Sequence, residues 1–129
     1  MAKPTYDDAN LMLQLVRSWP ADATDWMWSD EFVPDHKEFE ARYAHNAEAF
    51  GKVRAVLGWY ETIGTLHKHG LLNEDLLFDW LAVDMTWERM KSHALDMRAE
   101  SGNPRIYENF EAMARANRTW AGAQDSKVA

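Results

Sequence analysis

Lys68-His69-Gly70-Leu71-Leu72-Asn73-Glu74-Asp75-Leu76-Leu77-Phe78-Asp79-Trp80 is the stretch that decides the fold. Two basic groups sit where the negative end of a helix dipole favours them, and Gly70 can take the left-handed position that ends a helix. Asn73 then offers a side-chain oxygen to cap a new helix, with Glu74 and Asp75 in its first turn. One helix stops here and another starts.

Downstream, Leu76, Leu77, Trp80, Val83, Trp87, Met90, Ala94 and Met97 recur at helical spacing until Ser101-Gly102, which predicts one helix over that span. Asn103 with Pro104 at a first helical position predicts the next helix, carried by Ile106, Tyr107, Phe110, Met113 and Ala114 and reaching Trp120. Upstream, Phe39, Tyr43, Phe50, Val53, Leu57, Tyr60 and Ile63 mark an apolar face between His36 and His69. Gly51, Gly58 and Gly64 lie inside it. Each costs about 1 kcal/mol relative to alanine in a helix interior, so a kink, a close helix crossing or a break near Gly51 is expected. The first helix runs from about Tyr6 to Trp19, opened by Thr5 with Asp8 and closed by Pro20.

Residues 20–34 read as an irregular acidic connection holding Trp26 and Trp28. No stretch alternates apolar and polar residues with β-branched enrichment. The expectation is an all-α fold: a small antiparallel bundle of about four helices in one domain over residues 1–120, with a flexible tail over 121–129.

The chain of 129 residues carries 14 Lys+Arg, 21 Asp+Glu and no cysteine. Disulfides, thiolate metal sites and cysteine nucleophiles are therefore excluded. A net charge of -7 lacks the electrostatic footprint of a nucleic-acid binder. No apolar run approaches the ~18 residues of a membrane span, and the amino terminus does not read as a signal peptide, so a cytoplasmic protein off the membrane is expected.

Tyr60-Glu61-Thr62-Ile63-Gly64, Gly70 through Leu76, Trp87-Glu88-Arg89, Arg98, and Asn103-Pro104-Arg105-Ile106-Tyr107-Glu108-Asn109-Phe110-Glu111 resemble a bacterial helical family known as domain of unknown function 4760. The likeness spans roughly residues 57–114. It implies a helical fold and brings no activity with it.

Catalytic equipment is sparse. No glutamate is followed by histidine three residues later, as dimetal bundles require. Nucleophile elbows and phosphate-binding glycine loops are missing. His36, His45, His67, His69 and His93 remain as single groups; His93 with Asp96, and His45 with Glu48, read as solvated helix pairs rather than metal ligands. No catalytic residue, metal or cofactor is expected.

From Asp22 to Glu40 seven acids (Asp22, Asp25, Asp30, Glu31, Asp35, Glu38, Glu40) meet one base, Lys37. That balance of -6 accounts for nearly all of the net -7. Trp26, Trp28, Asp30 and Glu31 therefore point to a docking surface for a protein partner, or to self-association as a homodimer. A ligand pocket between helices, drawn from Trp80, Asp84, Trp87, Glu61 and Tyr107, is the second reading. A carboxylate or histidine hydrolase or metal enzyme is the third.

Overall fold

The computed structural model describes residues 3–128. Among them it contains seven helices and no strand: α1 (Tyr6–Arg17), α2 (Ala21–Met27), α3 (His36–Tyr43), α4 (Ala47–Lys68), α5 (Glu74–Trp80), α6 (Val83–Ser101) and α7 (Glu108–Val128). The all-α expectation holds, but seven helices replace about four.

Three differences account for the count. The connection over 20–34 contains α2, which buries Ala23, Thr24 and Met27. The long helix from His36 to His69 is two helices, broken at Ala44–Asn46 rather than near Gly51. His45 takes a positive φ of 66°, and Asn46 Oδ1 accepts from the Ala49 N–H at 3.0 Å, so the chain turns and recaps within three residues. The third predicted helix also divides. Leu81 is extended, which lets Leu81 and Val83, two residues apart, both bury. The exposed residues 121–123 continue α7 along the stretch where the sequence suggests a flexible tail.

Local capping matches the sequence closely. Thr5 and Asp8 form a reciprocal capping box, Asn73 Oδ1 caps α5, and Gly70 and Gly102 both lie in the left-handed region. Pro104 does not open the fourth predicted helix, which begins at Glu108 after Tyr107 adopts a φ of 58°.

The centre of the fold is a joint between α4, α6 and α7. Tyr60 stacks on Phe110 at 4.8 Å, with 17° between the ring planes. Trp87 meets Phe110 edge-on at 5.1 Å. Arg98 reaches across from α6: its Nε donates to the Ile106 carbonyl at 2.7 Å, and its Nη2 pairs with Glu111 at 3.0 Å.

Two helix starts are capped from a distance. A helix leaves its first backbone N–H groups unpaired. Those of Asn109 and Phe110 both donate to Glu61 Oε1 on α4, at 3.0 and 2.9 Å, and Asn109 Nδ2 donates to Glu61 Oε2. The Asp84 N–H at the start of α6 donates to Asn117 Oδ1 on α7 at 2.9 Å.

Candidate functional site

The residues singled out for a ligand pocket do not line one common space, although Glu61 lies near enough to Tyr107 to act on its hydroxyl. Glu61 is the cap of α7. Asp84 pairs with Arg118 Nη1 at 2.5 Å and shares no contact with Glu61. Trp87 is buried against Phe110. Trp80 is half-buried in a separate aromatic group, 5.9 Å from Trp59 and 6.2 Å from Trp19. Tyr107 is half-buried, and burial pushes its hydroxyl above the ordinary tyrosine value. Burial does the same to Tyr60 inside the joint. The space beside Trp80, between α1 and α5, has a volume of about 10 Å³, enough for one water and no larger ligand.

Asp84 therefore acts as one arm of a partly exposed ion pair. Asp84→Ala is expected to lower stability by about 0.2–1 kcal/mol, the range for such pairs, measured by urea unfolding. A loss above about 2 kcal/mol would show that the pair does more than close the surface.

The docking candidates separate into two kinds. Trp26 is half-buried, edge-on to Phe32 at 5.3 Å and Tyr43 at 6.0 Å, with the Lys52 ammonium 5.4 Å from its ring. It closes the core. Trp28 remains 44% exposed, one residue past the end of α2. Arg89 on α6 holds this turn: its Nε donates to the Met27 carbonyl and its Nη2 to the Ser29 carbonyl at 3.0 Å. The guanidinium also lies 5.6 Å from the Trp28 ring, within cation–π range.

Trp28, Pro34, Asp84, Met85, Glu88 and Arg89 line a shallow groove of about 450 Å³. Met85 is 63% exposed beside Trp28, and Asp30 and Glu31 are exposed nearby in sequence. Arg89 is committed to two carbonyls, while Lys91 pairs with Glu88. The sequence singled out Trp28 and its acids. It missed Met85 and Arg89, which belong to a helix 55 or more residues away.

A second polar centre lies on the other side of the same connection. His36, at the start of α3, is 8% exposed, and His93 on α6 is 1% exposed. Their Nδ1 atoms lie 2.9 Å apart. His93 Nε2 is 3.0 Å from the Val33 carbonyl. A carbonyl only accepts, so His93 Nε2 carries the proton. Burial also lowers the proton affinity of His93 below its ordinary value. His93 Nδ1 is then the acceptor, and His36 Nδ1–H donates to it. His36 Nε2 faces Glu40 Oε1 at 2.6 Å and Asp96 Oδ2 at 2.9 Å. His36 and Glu40 are four apart, a spacing readable on a helix. Asp96 comes from α6, so the sequence paired it with His93 instead.

The family model described as a domain of unknown function (DUF4760) matches residues 17–120. The match begins 40 residues before the resemblance read from the sequence. It takes in α2 to α6 and the core-packed part of α7. No curated protein and no solved structure matches the chain.

Proposed function

The chain belongs to the DUF4760 family, and from that premise we propose that it is a non-enzymatic helical docking module that takes a basic segment of a protein partner at the Trp28 face. The observation that carries this reading is a large exposed indole, 44% accessible, fixed by Arg89 rather than left free. A pre-positioned aromatic loses little side-chain freedom on binding, so more of its contact energy reaches the complex. Met85 and Pro34 extend the apolar contact. The exposed acids Asp30 and Glu31, two and three residues after Trp28, add negative charge that steers a positive partner toward this part of the surface. Glu61, Gly64, Trp87, Arg98, Asn109 and Phe110 are all spent on the joint between α4, α6 and α7, which leaves the exposed Trp28 face for recognition.

A cellulose-bound array of 12-residue peptides of graded charge tests this reading. Wild-type protein is expected to retain the basic members, with binding weakened as salt is raised from 50 to 300 mM. Trp28→Ala should weaken the best peptide by about tenfold or more, the loss typical of a central aromatic anchor, while leaving the free energy of unfolding within about 0.5 kcal/mol of wild type, as for other surface substitutions. Equal retention of acidic and basic peptides, or no effect of Trp28→Ala, would contradict it.

A further inference from the structure

We infer that His36, Glu40 and Asp96 form a binding site for a divalent transition ion of the zinc class, separate from the Trp28 groove. The three donor atoms lie within 4.8 Å of one another and come from two helices. The imidazole is already oriented. With His36 Nδ1–H donated to His93, and His93 Nε2–H donated to the Val33 carbonyl, the remaining nitrogen, His36 Nε2, points at two carboxylates.

Two carboxylate oxygens converge on this one imidazole nitrogen, and a single proton there can bond only one of them well, so a positive centre shared by all three donors fits the arrangement. A metal ion held by one imidazole and two carboxylates supplies it. Metal-bound histidines characteristically donate their other N–H to a fixed acceptor, as His36 does to His93. The neighbouring backbone is held too, since the His36 N–H donates to Ser92 Oγ at 2.9 Å.

The donor set selects the ion. One imidazole with two carboxylates suits zinc, manganese, iron or cobalt, whereas magnesium prefers oxygen alone. Zinc bonds of about 2.0–2.2 Å put neighbouring donors about 3.3 Å apart, so the carboxylates must withdraw by about 0.5 Å from their present positions. Glu40 can do this by side-chain rotation, being 55% exposed, and the same exposure gives the ion a way in and leaves coordination positions for water.

Equilibrium dialysis of the full chain against zinc chloride, with the bound metal measured by elemental analysis, tests the inference. Wild type is expected to take up one zinc per chain and to gain thermal stability from it, with magnesium having no effect. Asp96→Asn and Glu40→Gln, each near in shape to the original, should fold and lose at least about tenfold in affinity, the order of loss that follows removal of even an outer partner. His67→Gln, which alters a separate histidine–glutamate pair, should bind as wild type does. Failure of wild type to take up zinc would leave a proton alone between the imidazole and the acids and overturn the site. Undiminished uptake by both carboxylate variants would place the metal elsewhere and overturn it equally.

Discussion

Replacing Gly64 by alanine is expected to destabilise the protein by about 3 kcal/mol, although the same change usually stabilises a helix interior. A Cβ at Gly64 would lie 2.6 Å from both the carbonyl carbon and oxygen of Asn109 and 2.9 Å from the Phe110 nitrogen. These are backbone atoms at the start of α7, so no side chain can swing aside. Relief requires α7 to move off α4, which pulls the Asn109 and Phe110 N–H groups away from Glu61. Thermal unfolding should show a loss of about 10 °C for a domain of this size. Gly51 and Gly58 provide the control within the same helix. A Cβ at either meets nothing within 4 Å, and alanine there should stabilise by about 0.5–1 kcal/mol. If Gly64→Ala behaves like Gly51→Ala, the close crossing does not constrain the fold.

Phe110→Ala should cost still more, about 4 kcal/mol, within the range for truncating a buried phenylalanine. Phe110 is fully buried and is the ring that Tyr60 and Trp87 share. Its removal opens a cavity where three helices meet and ends two ring contacts. Against a total stability of about 5–15 kcal/mol, that is a large fraction. Urea unfolding measures it, and Phe110→Leu, expected to lose about 1.5 kcal/mol, gives a folded variant for comparison if the alanine form does not accumulate. A loss below 1 kcal/mol for Phe110→Ala would remove Phe110 from the centre of the joint.

What the sequence made legible was local. Thr5, Asp8, Gly70, Asn73 and Gly102 act on backbone groups within a few residues, and their chemistry is the same in a peptide as in the fold. The break at Leu81 was not readable, because neither glycine nor proline marks it. The cap of α6 is Asn117, 33 residues away, and the burial of Leu81 and Val83 depends on what packs over them. The cap of α7 is just as remote, which is why Pro104 looked like a helix start and Glu61 like half of an acid pair. The polar centre followed the same rule. His36 and Glu40 share a helix face in the sequence, but Asp96 and His93 join them only through packing of α3 on α6. Trp26 and Trp28 looked alike as members of one acidic stretch. Their separation into a core ring and an exposed ring follows from which one faces Phe32 and Tyr43 and which lies over Arg89.

The central claim is that Glu61, Gly64, Trp87, Arg98, Asn109 and Phe110 build the α4–α6–α7 joint, which leaves recognition to the face around Trp28. Native-state hydrogen exchange at the Asn109 and Phe110 amides tests it most directly. The account predicts protection close to the global unfolding free energy in wild type, and a loss of about 1–3 kcal/mol at these two amides in Glu61→Ala, the cost of stripping the acceptor from two part-buried donors. Free exchange of both amides in wild type, or unchanged protection in Glu61→Ala, would contradict it.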